Sequence, residues 1–105
     1  MSQFLTVFVE YRVQEDSISM FRDQYFAQIR AQIQNQVEHV VRHEFLISEA
    51  QVGQVVEVIQ VDDQGAVSQL QELRTGPTPS WFHSLDSHIV GGRSKIKLWT
   101  FRQCD

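Results

Sequence analysis

The chain has 105 residues, of which 42% are hydrophobic and 21% are charged, a composition typical of one globular domain and not of a disordered segment. Its net charge of -4 and its scattered basic residues argue against a nucleic-acid partner, because phosphate binding requires a concentrated basic surface. The one cysteine, Cys104, cannot form an internal disulfide, which fits a reducing compartment. The apolar run at residues 4–9 is too short for a signal or membrane-spanning segment, so we expect a cytoplasmic protein without a membrane partner.

Hydrophobic residues recur along the chain with alternating strand and helix periods. In chain order the pattern predicts a strand at residues 4–13, a helix at 18–37, strands at 40–48 and 52–61, an interrupted helix at 66–89 and a strand at 95–102. This order is the ferredoxin-like split βαββαβ pattern, an α+β fold with a four-stranded antiparallel sheet and helices on one face. We therefore expect residues 1–105 to form a single domain.

Both predicted helices carry recognisable end signals. Asp16 or Ser17 can cap the first one. A Gly-Pro-Thr-Pro run divides the second into a helix at residues 66–74 and a shorter one at 79–90, with Thr78 as the cap of the latter. The buried stripe of the first helix would be Ile18, Phe21, Tyr25, Ile29 and Ile33, and that of the last would be Phe82, Leu85 and Ile89.

The predicted sheet has two apolar faces, and the helices can cover only one of them. We expect the helix-facing set of the first strand to be Leu5, Val7, Val9, Tyr11 and Val13. The corresponding sets are Val41, His43, Phe45 and Ile47 on the second strand and Val56 and Val58 on the third. The apolar residues expected on the open face are Phe4, Phe8, Leu46, Ile59, Val61, Trp99 and Phe101. The charged residues expected beside them are Glu10, Arg12, Arg42, Glu44, Glu57 and Lys97. Because an apolar patch of this size is unusual on a monomer, we predict a homodimer that forms through the open face.

Three segments of this pattern resemble the dimeric α/β barrel superfamily, which contains the antibiotic-biosynthesis-type monooxygenases. They are the opening strand at residues 4–9, the strand-to-helix passage at 52–69 and the Thr-Gly-Pro-Thr-Pro-Ser-Trp-Phe run at 75–82. The resemblance implies that two sheets pack face to face into a barrel, with a ligand pocket between the sheet and the helices of one subunit. The catalytic signatures of the monooxygenases are not matched. A tryptophan is often found at the end of strand three and a histidine in the following helix, where this chain has Val61-Asp62-Asp63 and Leu73-Arg74.

Five residues are candidates for a site under the helices. His43 could act as a general base or donate a hydrogen bond to a ligand carbonyl, and Tyr11 could orient it. Trp81, His83 and His88 would approach the same space as ligand-binding residues, because the short last helix should lie over it. The alternative is a core tyrosine and a strand histidine whose polar atoms bond to the backbone or to water.

The resemblance implies a small-molecule enzyme, either a cofactor-independent monooxygenase or an isomerase, that acts on an aromatic or polyketide-like substrate. A non-catalytic dimeric protein that binds a small hydrophobic or aromatic ligand, or that is associated with stress, is the alternative. A haem-binding or haem-degrading protein with His83 or His88 as axial ligand is a third hypothesis. We predict no metal site, because His39 and His43 on one strand would lie about 13 Å apart, and we predict no other cofactor.

Overall fold

A four-stranded antiparallel sheet with its helices on one face is the core of the computed structural model, which describes residues 4–104. The strands lie in the order β2-β3-β1-β4. This arrangement confirms the predicted ferredoxin-like α+β fold. The strands are β1 (Leu5–Arg12), β2 (Val40–Ile47), β3 (Gln54–Val61) and β4 (Lys97–Arg102).

Helix α1 is one continuous helix that changes its winding along its length. An α-helical turn at Ile18–Met20 leads into a π-helical turn at Phe21–Tyr25, and the α-helix resumes at Phe26–Gln36. The predicted stripe is confirmed, with Phe21, Ile29 and Ile33 fully buried and Ile18 and Tyr25 packed against them. The predicted side-chain cap is wrong. Ser17 makes no capping bond, because its hydroxyl lies 3.0 Å from Nδ1 of His88.

Helix α2 spans Gln64–Thr75, and Asp63 caps it by accepting a hydrogen bond from the Gly65 N–H at 2.9 Å. The following segment is a 3₁₀ helix at Trp81–His88 rather than the predicted helix at residues 79–90. It stops early because Ile89 is extended and pairs with Val13 beside β1. Its cap is Ser80 and not Thr78, since the Ser80 hydroxyl accepts the Phe82 N–H. The predicted buried edge of Phe82, Leu85 and Ile89 is confirmed.

The two faces of β3 are the reverse of the predicted ones. Val55, Glu57, Ile59 and Val61 face the helices and are buried, whereas Val56 and Val58 lie on the open face. The register with β1 sets this choice, because Leu5 pairs with Val61 and Val9 pairs with Glu57, and paired residues share a face. Valines occupy both faces of β3, so the alternation alone does not fix which face is buried.

Strand β2 lies at the edge of the sheet and is irregular at its start. Its register to β3 shifts between Val40 and Arg42, which leaves Val41 exposed instead of facing the helices as predicted. Beyond the irregularity, His43 and Phe45 face the helices, in agreement with the prediction.

Six apolar residues form a contiguous patch on the open face, which we call the open-face patch. They are Phe8, Leu46, Val56, Val58, Trp99 and Phe101. Leu46, Trp99 and Phe101 are 55%, 44% and 54% exposed, and the ring of Phe101 meets that of Phe8 edge-on at 5.4 Å. Ile59 and Val61, which were predicted for this surface, lie in the core instead. Among residues 4–104 there is no helix with the length and apolar character needed to cross a bilayer.

The turn between β2 and β3 requires glycine at position 53. Gly53 has a φ of +81°, its carbonyl accepts the Val13 N–H at 2.8 Å, and a Cβ there would lie 2.3 Å from the Val13 oxygen. Gly92 also has a positive φ, +71°, but open space surrounds the position of its missing Cβ.

We expect Gly53→Ala to lower the free energy of unfolding by clearly more than Gly92→Ala. The Gly92 variant adds only the penalty of a backbone conformation that favours glycine, about 1–3 kcal/mol, whereas the Gly53 variant must also displace the Val13 backbone. Urea denaturation of the two variants tests this. Equal losses would show that the contact between the turn and Val13 has no influence on stability.

Candidate functional site

A carboxylate lies at the centre of the core, and four hydrogen bonds hold it. Glu57 on β3 is 0% exposed. Its Oε1 accepts from Arg74 Nη1 at 2.6 Å and is 2.8 Å from His43 Nε2. Its Oε2 accepts from Arg74 Nη2 at 2.7 Å and from the Tyr11 hydroxyl at 2.6 Å. Both carboxylate oxygens therefore have two partners each, which is what a buried ionised carboxylate needs.

The four residues of this cluster, which we call the Glu57 tetrad, come from four different elements. Tyr11 is on β1, His43 on β2, Glu57 on β3 and Arg74 in the last turn of α2. Neighbouring strands place the first three side chains on the same face of the sheet. Arg74 comes four residues after Leu70, so it lies on the buried face of α2. The cation also suits the C-terminal end of a helix, where the helix dipole is negative.

The electrostatics of the tetrad favour the ion pair. Burial by itself would raise the pKa of Glu57, but the Arg74 guanidinium and the His43 hydrogen bond outweigh it and lower the pKa from 4.5 to about 2. Burial would likewise lower the pKa of Arg74, and the Glu57 carboxylate raises it above its ordinary value. Burial, and then the negative charge of Glu57, raise the pKa of the Tyr11 hydroxyl well above 10.0. Glu57 is therefore ionised and Tyr11 is a neutral donor at neutral pH.

The hydrogen bond to Glu57 determines which nitrogen of the His43 ring carries the shared hydrogen. An ionised carboxylate has no proton to give, so the hydrogen between Glu57 and His43 belongs to Nε2 of the ring. In the neutral imidazole the other nitrogen, Nδ1, then carries the lone pair. That atom is buried and has no hydrogen-bond partner within residues 4–104. A histidine oriented by a carboxylate, with a free ring nitrogen, is the arrangement of a general base.

Two aromatic rings stack in series on one face of the His43 ring. Its ring stacks on Phe45 at 4.5 Å, and Phe45 stacks on Phe26 of α1 at 4.5 Å. The Arg30 guanidinium lies 5.2 Å from the Phe45 ring centre and donates to the His43 carbonyl at 3.1 Å. This series of stacked rings links α1 to the tetrad.

An apolar slot adjoins the stacked rings at Phe26, between the start of α1 and the sheet. It leaves no room for a water molecule. Its lining residues are Val13, Ile18, Phe21, Phe26, Ile47, Gly53 and Val55. A flat apolar ligand could therefore approach the stacked rings from this side only if the Phe26 ring moved.

The three predicted ligand-binding residues do not bond to the tetrad. Trp81 packs edge-on against Phe82 at 5.2 Å, and Phe82 in turn lies 5.0 Å from the Arg74 guanidinium. His88 is held by the Ser17 hydroxyl at 3.0 Å and packs against Phe21. His83 has a buried Nε2 without a partner among the described residues.

Tyr11 and His43 are thus brought together, but only through their shared hydrogen-bond partner, Glu57. Glu57 was predicted on the open face, and it is Glu57, not Tyr11, that orients His43. Arg74 was not predicted as a site residue. Its four-residue spacing from Leu70 could have identified it, because that spacing puts a cation on a buried helix face, where it requires a buried acid.

Other titratable residues form no metal centre in the part of the chain that the structure describes. His39 is exposed and lies 3.0 Å from Asp62, while His43 is directed into the core. No group of three His, Cys, Asp or Glu side chains among residues 4–104 could hold a metal ion.

Solved structures share this fold at low sequence identity. A crystal structure of an antibiotic biosynthesis monooxygenase is 12% identical and aligns over 96% of this chain and 99% of its own, with a TM-score of 0.66. A Pseudomonas aeruginosa protein is 11% identical over 100% and 98% of the two chains, with a TM-score of 0.68. A dimeric ferredoxin-like protein from an uncultured marine organism is 12% identical over 100% and 90%, with a TM-score of 0.63.

These likenesses confirm the expected resemblance at the level of the fold. No protein-family model matches the chain, and no curated protein sequence matches it. The comparisons therefore support the fold and do not support a specific activity.

We expect Glu57→Gln to lower the free energy of unfolding by about 3–5 kcal/mol at pH 7, because it leaves the Arg74 charge buried without a counter-ion. The matched control is Glu44→Gln, which removes only the exposed contact between Glu44 and Arg42 and should cost less than about 1 kcal/mol.

The stabilisation by Glu57 should also depend on pH. Because the folded-state pKa of Glu57 is lowered, its contribution to the free energy of unfolding is complete above about pH 4.5 and is lost as the pH falls towards 2. Urea denaturation at pH 7 and pH 3 measures both effects. Equal losses in the two variants would contradict a stabilising tetrad.

Proposed function

We propose that this chain acts as a homodimeric, cofactor-independent enzyme in which His43 is the general base for an aromatic or polyketide-like substrate. The observation that carries the proposal is the state of the His43 ring. Its Nε2 is held by the ionised Glu57, and its Nδ1 is buried and free of partners within residues 4–104. A base in this position removes a proton from a phenol or from an acidic CH₂ group.

The surroundings of His43 favour a planar substrate. Phe45 stacks on the His43 ring and Phe26 stacks on Phe45, so a substrate ring would lie against His43 only if it took the place of Phe45 in this stack. The apolar slot beside Phe26 has no room for a water molecule, so the rest of such a substrate would fit only after the Phe26 ring had moved. Polar substrates would gain little here, because the slot is lined by apolar side chains.

Proton abstraction is a step of both reactions that the family resemblance implies, isomerisation and oxygenation. An isomerase returns the proton to another carbon of the substrate. A monooxygenase of this type uses a substrate whose anion reduces dioxygen by itself, so that a CH₂ group becomes a carbonyl and the second oxygen atom leaves as water. The protein contributes desolvation, orientation and the base.

The open-face patch supports the homodimer. Six apolar residues lie together on a surface that no helix covers, and three of them are about half exposed. A second copy would bury roughly 800 Å² per subunit in an interface of standard size. A dimeric neighbour with the same fold is consistent with this assembly.

Two alternative functions are a non-catalytic ligand-binding protein and a haem protein. A protein that binds a hydrophobic ligand without turnover would need the same opening of the slot at Phe26 as the proposed enzyme. Packing of the His88 ring on Phe21 and Tyr25 favours a core histidine over a haem ligand. The bond from its Nδ1 to Ser17 does not separate the two roles, because haem is bound through Nε2.

We expect His43→Gln to reduce kcat for oxidation of anthrone by a factor of about 10²–10⁴, because it removes the base and leaves most of the apolar slot in place. The control is His39→Gln, which alters an exposed histidine outside the tetrad and should leave kcat unchanged. Oxygen consumption gives kcat, and fluorescence titration gives the Kd for anthrone. Full turnover in the His43 variant would refute the general base, and wild-type binding without turnover would support the non-catalytic alternative.

We expect the wild-type protein to sediment as a dimer at micromolar concentration and Trp99→Glu to sediment as a monomer, because a charge would be buried at the centre of the interface. The control is Val52→Glu, a substitution at an apolar residue that is 63% exposed but lies outside the open-face patch. Analytical ultracentrifugation measures the masses. A monomeric wild-type chain would contradict the proposed dimer.

A further inference from the structure

A groove at one corner of the open face carries a charge opposite to that of the chain. The last strand pairs with β1 only as far as Lys97 and Glu10. Beyond that pair the neighbour of β1 is Val90, whose N–H donates to the Arg12 carbonyl at 2.8 Å. The change from one neighbour to the other leaves a groove of about 260 Å³, which we call the corner groove. It is lined by Glu10, Tyr11, Arg12, Gln54, Val90, Gly91, Lys95 and Lys97.

Three cations and one carboxylate line the corner groove. The carboxylate, Glu10, is already engaged by the Gln54 amide at 2.5 Å. Arg12 has a neutral partner, the Gln51 amide oxygen at 3.3 Å. None of the ion pairs within residues 4–104 includes Arg12, Lys95 or Lys97. A chain with a net charge of -4 thus collects three of its nine basic residues around one concave surface that contains a single carboxylate.

The backbone holds one of these cations in place. The Lys95 Cγ lies 2.3 Å from the position that a Cβ on Gly91 would occupy, so the Lys95 stem packs directly on the Gly91 backbone. A short 3₁₀ turn at Arg93–Lys95 then leads into β4, which presents Lys97 beside β1. Both lysines are therefore carried on ordered backbone next to the groove.

We propose that the corner groove binds a small organic anion through a carboxylate or phosphate group. Unpaired lysine and arginine side chains are the groups that recognise both anions. The volume of the groove is slightly below the range of about 300–1,000 Å³ found for drug-sized ligands, which limits the ligand to a small molecule. The site does not include His43 and does not rest on the proposed catalytic function.

Titration with inorganic phosphate and, separately, with benzoate at constant ionic strength tests this site, with backbone amide NMR shifts as the readout. We expect saturable shifts centred on Gly91 and Lys97, and the stronger of the two probes identifies the anion class. In Lys95→Gln/Lys97→Gln the Kd should rise about tenfold or more. The control Arg22→Gln/Arg102→Gln removes the same charge from exposed positions outside the groove and should change the Kd by less than about twofold.

Three results would overturn the proposal. Equal weakening in both double variants would mean that the anions respond to overall charge only. Shifts that do not saturate, or that chloride reproduces, would mean that no site is present. Binding to the monomeric Trp99→Glu protein but not to the wild-type dimer would mean that the second copy fills the groove with its own carboxylates.

Discussion

The ion pair between Glu57 and Arg74 is the constraint on which the rest of this structure depends. A carboxylate without solvent contact is tolerated only when its lone pairs are satisfied, and Glu57 has all of them occupied by Arg74, Tyr11 and His43. Tyr11 and His43 lie on β1 and β2, the two strands that flank β3, and Arg74 lies at the end of α2. A shift of any of these strands by one residue would turn its side chain to the other face and leave a buried charge unpaired. The tetrad therefore selects one register of the sheet and one position of α2.

The ion pair also determines the hydrogen-bonding state of His43. Because Glu57 fixes the hydrogen on Nε2 of His43, the free nitrogen of that ring is directed away from the ion pair. Phe45 stacks on the imidazole and Phe26 stacks on Phe45, so that the histidine and an apolar surface lie side by side. This combination would suit deprotonation of an aromatic compound, and it also rigidifies the core. A buried polar group can fill both roles at once.

The two faces of the sheet carry different features. The helix-covered face contains the core and the tetrad. The other face carries the open-face patch in its middle and the corner groove at one end, where the pairing of β1 changes from Lys97 to Val90. Apolar surface favours contact with a second copy, and the unpaired cations favour an anion. The open face thus has two surfaces of different chemistry a few residues apart.

The sequence by itself determined the order of the elements, because the spacing of apolar residues distinguishes strands from helices over short distances along the chain. It also determined the buried stripe of α1, the helix-facing side of β1 and the location of Tyr11 and His43 beneath the helices. Only the tertiary structure decided the side to which β3 directs Glu57. Apolar residues lie on both sides of that strand, and pairing with β1 makes the choice. The pairing of Glu57 with Arg74 could not be predicted for the same reason, although the spacing of Arg74 from Leu70 places a cation on the buried face of α2. An acid on one strand and a cation 17 residues later become partners only when the sheet and α2 pack together, and no local pattern encodes that contact.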